Sequence, residues 1–270
     1  MTLGIVGVGL LGGSLALAAR ARGLGRVLGH DRLPGVMLRA AERGMIEPRE
    51  SLAALAAECE LVVFCTPVDA IARQVLEAAP HCRPGTVLTD VGSTKAGIVR
   101  ELAGKLPSGV AFVGGHPLAG SEKHGPEHSR ADLFAGRLVL LTPADHGMEV
   151  VERFWHSLGA RTEVIGAEEH DRALALTSHL PHLAAAALAG LLPPEWERVT
   201  ATGFRDATRL AAGSPELWRA IFQANRAPLA EALGKLTERL GLYGDALVAG
   251  DGAALERLLE EARAARERLQ

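Results

Sequence analysis

The segment Leu3-Gly4-Ile5-Val6-Gly7-Val8-Gly9-Leu10-Leu11-Gly12-Gly13-Ser14 is an apolar run that turns on glycines into a helix. Gly7, Gly9 and Gly12 stand in the G-x-G-x-x-G spacing, which lets a strand turn tightly, brings main-chain N–H groups close to a pyrophosphate and packs the helix on the strand. A helix N-terminus at that point suits an anion. Glycine-rich turns also occur in purely structural strand–helix units, so the context decides. A helix expected over residues 14–22 leads to a second apolar strand, Arg26–His30, and then to Asp31, 19 residues after Gly12. A carboxylate there accepts both ribose hydroxyl hydrogens of an adenosine and repels a 2′-phosphate, which favours NAD over NADP. The neighbouring Arg32 blurs that preference, and a plain turn residue ahead of Pro34 is the alternative reading of Asp31.

At 270 residues, 48% of them hydrophobic and with a mean hydropathy of +0.14, the chain has apolar material for one large core or two modest ones. Its 29 basic and 32 acidic residues give a net charge of −3. That balance offers no electrostatic footprint for nucleic acid or an anionic membrane, so the expected partners are small molecules. Cys59, Cys65 and Cys82 are odd in number and lack C-x-x-C spacing. Neither a disulfide framework nor a zinc site is expected, and a reducing cytoplasm fits. No charged leader is expected ahead of the first strand, and no apolar run is long enough to span a bilayer.

Beyond Asp31, helices expected over 36–43 and 51–57 lead to Leu61-Val62-Val63-Phe64, a continuous apolar run of the kind that a parallel strand buried on both faces shows. It ends in Cys65-Thr66-Pro67-Val68. Ligands in open α/β sheets collect at such carboxyl ends, which places Thr66 and Pro67 beside a cofactor; the alternative is that they cap the next helix, 70–79. A strand over 86–90 opens onto Val91-Gly92-Ser93-Thr94-Lys95, where Ser93 either caps a helix beginning near Lys95 or aims its hydroxyl into the crevice. A strand over 110–113 ends in Gly114-Gly115-His116-Pro117-Leu118-Ala119-Gly120-Ser121-Glu122. His116, stiffened by Pro117 and flanked by glycines, stands at the mouth of the sheet. Imidazole titrates nearest neutrality, so it can take a hydroxyl proton while hydride leaves the same carbon. A structural histidine is the alternative. His124 and His128 are separated by Gly125-Pro126, which suits a mobile loop better than a metal-binding helix face. Strands over 138–143 and 161–165, on either side of a helix over 148–158, complete the sheet.

From Glu168 onward the pattern is helical, and the domain boundary is expected near Gly166, dividing the chain into 1–166 and 167–270. A first long helix, 170–190, contains Ser178-His179-Leu180-Pro181-His182, in which Pro181 bends the helix while His179 and His182 share one face and shape a pocket. The small residues Ala184 to Ala187 and Ala189 let another helix approach closely, in the core or across a dimer interface. In Ala201-Thr202-Gly203-Phe204-Arg205-Asp206-Ala207-Thr208-Arg209, Asp206 and Arg209 lie three apart. Arg209 suits a bidentate grip on a carboxylate, with Asp206 orienting it, or else the two form an ordinary helix salt bridge. Ser214-Pro215-Glu216 opens a further helix, and a last one over 253–269 carries a solvated charged face.

On the motifs around Ser93, His116, His179, His182 and Arg209, the chain resembles the prephenate and arogenate dehydrogenases, the oxidoreductases of tyrosine biosynthesis. The resemblance covers nearly the whole chain. It rests on residues 90–95, 115–122, 178–182 and 203–209, in the family's order. It implies an α/β, Rossmann-type dinucleotide-binding domain followed by an all-helical domain that forms a homodimer. NAD is the implied cofactor, with NADP as the alternative, and the implied reaction is oxidative decarboxylation of prephenate to 4-hydroxyphenylpyruvate, with arogenate to tyrosine as the alternative. It also implies that His116 hydrogen-bonds the ring 4-hydroxyl, that Ser93 supports it, and that Arg209 binds a carboxylate. His179, His182, Ser121, Glu122, Arg205 and Asp206 complete the expected substrate side; among them Glu122, Arg205 and His182 are placed to tell a ketone from an amino group. Gly7, Gly9, Leu10, Leu11, Gly12, Asp31, Arg32, Thr66, Pro67 and Ser93 form the expected cofactor side. Related β-hydroxyacid dehydrogenases rely on a lysine in the first interdomain helix, and residues 170–190 contain none. A non-catalytic nucleotide sensor would leave His116 and Arg209 without a task. The chain is expected to carry neither the regulatory domain nor the fused mutase of some family members.

Overall fold

The computed structural model describes residues 1–120 and 125–269. Ser121 and Glu122, expected on the substrate side, and His124 lie outside the described residues. Strands β1 (Thr2–Val6), β2 (Arg26–His30), β3 (Glu47–Pro48), β4 (Leu61–Phe64), β5 (Val87–Asp90) and β6 (Ala111–Val113) form a parallel sheet in the order β3-β2-β1-β4-β5-β6. The intervening helices are α1 (Leu10–Ala21), α2 (Pro34–Glu42), α3 (Leu52–Glu58), α4 (Val68–Ala78) and α5 (Ala96–Leu102). The sheet's apolar runs are explained by burial on both faces. Leu3, Ile5, Leu61, Val63 and Val87 enter one apolar cluster with Leu15 and Ala18 of α1. Val6, Val62, Phe64 and Leu88 enter another with Leu55 of α3, Ile71 of α4 and Ile98 of α5.

The chain then leaves this sheet, contrary to the expectation of one continuous sheet. β7 (Gly115–Pro117), β8 (Leu138–Leu141) and β9 (Arg161–Val164), with α6 (Met148–Ser157) before β9, make a separate sheet in which β7 runs antiparallel to β8. The reason lies at Gly115, where an added Cβ would stand 2.6 Å from the Asp90 carbonyl oxygen. Only a residue without a side chain lets the strand pass so close to the end of β5. The expected mobile loop near His128 is instead a short 3₁₀ turn, Pro126–His128, packed on α1: the Ser129 hydroxyl donates to the Leu10 carbonyl at 3.2 Å, and the Arg130 N–H donates to Ser14 Oγ at 3.0 Å.

The single helix expected over 170–190 is broken into α7 (Ala167–Leu174), a widened π turn (Ala175–His179) and α8 (Leu180–Ala189). Pro181 supplies the cause, because its missing N–H and its ring do not fit a regular i to i−4 ladder. After α9 (Thr202–Thr208) and a 3₁₀ turn (Arg209–Ala212), α10 (Pro215–Ala224) begins at Ser214, whose Oγ accepts the Leu217 N–H at 3.3 Å. Two compact units result, residues 1–225 and 226–270. The first runs past the boundary expected at 166, because Ala220 and Ile221 of α10 are buried in the cluster that holds Val68 and Ile71 of α4. The second consists of α11 (Arg226–Ala249) and α12 (Gly252–Glu267), joined by a Tyr243 hydroxyl donating to the Leu258 carbonyl at 3.1 Å and an Arg239–Glu261 ion pair at 2.7 Å. Leu240, Leu242, Leu247, Val248 and Leu259 of this unit stay exposed. Among the described residues no helix is long and apolar enough to cross a membrane, and no cluster of side chains suits a metal ion.

Candidate active site

The strand order reverses between β1 and β4, the position at which open parallel sheets take ligands beyond their carboxyl ends. The turns after these two strands touch: a Cβ added to Gly7 (φ +87°) would lie 2.8 Å from Thr66 Cγ2, and one added to Gly12 would lie 2.0 Å from the Gly7 carbonyl oxygen. Gly9 is different. It caps α1 without a side-chain hydrogen bond, its backbone is ordinary, and among the described residues nothing beyond its chain neighbours and its own helix lies within 4 Å of where its Cβ would be. A side chain here would fill open space above the helix N-terminus, which is the space a pyrophosphate needs. Leu10 and Leu11 form the first turn of that helix.

Asp31 makes the turn of its plainer reading and is also tied to the glycine turn. One carboxylate oxygen accepts the Leu33 N–H and makes the turn, while the other reaches back to the Val8 N–H of the glycine turn, each at 2.9 Å. Arg32 is exposed beside it. The Thr66 hydroxyl donates to Gln74 Oε1 rather than capping α4, whose N-cap is Pro67 without a side-chain bond. These residues fit a dinucleotide. Gly9→Ala is expected to raise KM for NAD about tenfold or more with a melting temperature little changed, since the added Cβ stands in open space among the described residues; an unaltered KM would remove the glycine turn from cofactor binding.

The chemical side of the site is built on β5, β7 and α7. Asp90, fully buried at the end of β5, accepts the N–H groups of Gly92 at 2.8 Å and Gly115 at 3.0 Å, and pairs with the buried Lys95 ammonium. This ties the start of β7 to β5 and holds the next residue, His116, at the sheet's carboxyl edge. His116 Nδ1 lies 2.9 Å from His170 Nε2, and His170 Nδ1 lies 2.8 Å from Asp171 Oδ1. Asp171 also accepts the Lys95 N–H at 2.7 Å and the Ala96 N–H at 3.0 Å. Its carboxylate therefore caps α5, the task that Ser93 was a candidate for, and does so from a helix 75 residues further along.

Behind this array, Asn225 Nδ2 donates to the Asp171 carbonyl at 2.7 Å and stands 3.0 Å from His179 Nδ1. The π turn brings His179 inward to 1% exposure, with the Ser93 main chain against its ring. The half-buried Ser93 hydroxyl makes no hydrogen bond to His116, whose ring is held by His170 instead. His182 stacks on Trp218 at 3.4 Å between ring centroids, and His179 meets the same indole edge-on at 6.2 Å, so the two histidines do share a face. An apolar hollow of about 370 Å³ is lined by His182, Gly213, Trp218 and Phe222. Arg209 begins the 3₁₀ turn that leads to Gly213 and packs on α8. It is exposed, as are Arg205 and Asp206, and the salt bridge between Asp206 and Arg209 is not formed. The structure thus gathers His116, Ser93 and His179 and places His182 next to them; it shows no contact between His116 and Arg209. Lys95, Asp90, His170, Asp171, Asn225 and Trp218 stand in the site without having been expected there. The adjacency of His170 and Asp171 at the start of a helix, and the place of Asp90 and Lys95 at the two ends of the 90–95 motif, were the available signals.

Burial, followed by the neighbouring His170, Lys95 and His179, holds the His116 imidazole well below its usual pKa, so it is neutral at pH 7. Burial likewise pulls His179 down to about 4. The unfolded chain takes up these protons near pH 6.5, where the folded chain does not. Stability is therefore complete above pH 6.5 and is lost as the pH falls toward 4. A series of thermal melts should show the melting temperature dropping across that window; a flat profile would contradict neutral burial.

A parallel dinucleotide-type sheet with a neutral, buried imidazole at its carboxyl edge defines a nucleotide-dependent dehydrogenase of the Rossmann class. Comparison with known proteins narrows the class. The family model "Prephenate dehydrogenase, nucleotide-binding domain" matches residues 15–164, and "Prephenate dehydrogenase, dimerization domain" matches 166–261. The chain belongs to the prephenate dehydrogenase family. It is 32% identical to cyclohexadienyl dehydrogenase of Zymomonas mobilis, over 98% of this chain and 94% of that one. Its fold is similar to the crystal structure of prephenate dehydrogenase from A. aeolicus in complex with hydroxyphenyl propionate and NAD+, with a TM-score of 0.91 and 30% identity over 100% of this chain and 98% of that one. It is also similar to Synechocystis arogenate dehydrogenase, with a TM-score of 0.82 and 28% identity over the full length of both chains.

Proposed function

We propose that this enzyme catalyses the NAD-dependent oxidative decarboxylation of prephenate to 4-hydroxyphenylpyruvate, with His116 as the base. The observation that carries this reading is a neutral imidazole with Nδ1 tied to His170 and Nε2 making no hydrogen bond among the described residues. Nε2 accepts the proton of the substrate's 4-hydroxyl. When bound, the nicotinamide supplies the acceptor for the hydride on the same carbon. The ring carboxylate then departs as CO2, and aromatisation makes the step irreversible. Ser93, His179 and His182 line the substrate side near His116, and Arg209, with Arg205 and Asp206 on the same segment, holds a carboxylate. The glycine turn, Asp31, Arg32, Thr66 and Pro67 hold the dinucleotide. Asp31 argues for NAD, as does the NAD+ in the A. aeolicus complex.

The meeting of the two matched ranges at residue 165 supports dividing the chain near Gly166 into a nucleotide-binding part and a dimerisation part. The exposed leucines of α11 and α12 support a homodimer, and three free thiols fit the cytoplasm. Steady-state kinetics with prephenate and arogenate, each with NAD and NADP, test the proposal. The highest kcat/KM is expected for prephenate with NAD; absence of NADH formation from either substrate overturns it.

A further inference from the structure

We propose that His170 and Asp171 act as positioning residues that fix the tautomer of His116, leaving Nε2 as its bare nitrogen. This rests on the proposed role of His116 and goes beyond it, because it assigns work to two side chains that touch neither substrate nor cofactor. Asp171 Oδ1 accepts two donors, the Lys95 N–H at 2.7 Å and His170 Nδ1 at 2.8 Å, and a carboxylate has no proton to give. His170 Nδ1 therefore carries the hydrogen. With His170 in its uncharged form, which has one donor and one acceptor, His170 Nε2 is the acceptor. It lies 2.9 Å from His116 Nδ1, which must be the donor. His116 Nε2 is left with its lone pair exposed for a proton. No proton needs to travel along the array: two hydrogen bonds and one anchored carboxylate suffice.

The anchoring is strong for a reason visible in the fold. Asp171 is held by the first two N–H groups at the start of α5, and its own carbonyl accepts from Asn225. It cannot rotate away without uncapping a helix. His170 is fully buried, and the rings of His116 and His170 lie 5.1 Å apart at 60°, which suits a hydrogen bond through ring edges rather than stacking. The other groups that act on His116 electrostatically are Lys95 and His179, with Asp90 paired to Lys95. Neither lysine nor His179 supplies an acceptor for His116 Nδ1, so the tautomer rests on His170.

Two variants and one spectrum test this. Gln offers one acceptor and one donor and can take the place of His170 between His116 and Asp171; Leu fills the space but offers neither. His170→Leu is expected to lower kcat for prephenate about 10²-fold, the low end of what a general base contributes, with KM for prephenate, KM for NAD and the fall-off of kcat at acid pH little changed. His170→Gln should restore kcat to within about tenfold of the parent. A purely structural role predicts the reverse ranking, since Leu packs at least as well. Nitrogen-15 NMR of the imidazoles in the unmodified protein at pH 7.5 should show His116 protonated on Nδ1 and bare on Nε2. The inference is overturned by a Leu variant with parental kcat, by Gln rescuing no better than Leu, or by a His116 ring protonated on Nε2. The spectrum needs no turnover, so it judges the tautomer even if prephenate proves not to be the substrate.

Discussion

Replacing His116 by asparagine is expected to lower kcat about 10²–10⁴-fold, the usual scale for losing a general base, while NAD binding and the melting temperature stay close to parental values. The residue sits on β7 at 8% exposure, beyond the Gly114-Gly115 passage that sets the backbone, so the shape of the site does not depend on its ring. Asparagine retains a donor near His170 Nε2, which spares that acceptor from being stranded. What asparagine lacks is a basic nitrogen where Nε2 was. The pH profile of the parent follows from the same residue: His116 is neutral well below pH 6.5, so kcat/KM should hold level from pH 8 down through 6.5 and fall only in more acid solution. An asparagine variant with parental kcat would remove His116 from the mechanism.

The second large effect is expected at Arg209. Arg209→Ala should raise KM for prephenate about 10–10²-fold and leave KM for NAD unchanged, because hydrogen bonds to charged groups contribute about 1.5–3 kcal/mol. The guanidinium is exposed on the 3₁₀ turn that packs on α8, and the salt bridge that would have made it a structural residue is not formed with Asp206. Lysine should rescue poorly, since a point charge does not reproduce the planar fork that matches a carboxylate. Unchanged KM for prephenate would show that the guanidinium serves another purpose.

Much of the nucleotide half was legible because its signals are local. A glycine turn, continuous apolar strands and a Ser-Pro-Glu helix start depend on a few adjacent residues, and β2 and β4 fall where the pattern placed them. The passage from one sheet to another at Gly115 was not legible, because it depends on how near the Asp90 carbonyl comes in space. The return of α10 to the sheet was hidden for a similar reason: an amphipathic helix reads the same whichever surface it covers. Pro181 announced a bend, but not that the turn before it would widen and swing His179 inward. In the site itself, the motif histidine could be picked out, while its partners could not. His170 stands 54 residues from His116 in the chain, and nothing in the spacing says that they meet.

His116 and Arg209 are expected to serve one substrate. A crystal structure of the assembled protein with NAD and 4-hydroxyphenylpyruvate tests it most directly. The predicted result is His116 Nε2 within about 2.6–3.2 Å of the 4-hydroxyl oxygen, beside the nicotinamide, with Arg209 of one protomer or the other on the ligand's carboxylate. A ligand that engages neither group, or an Arg209 pointing into bulk solvent in both protomers while His116 contacts only protein, would contradict it.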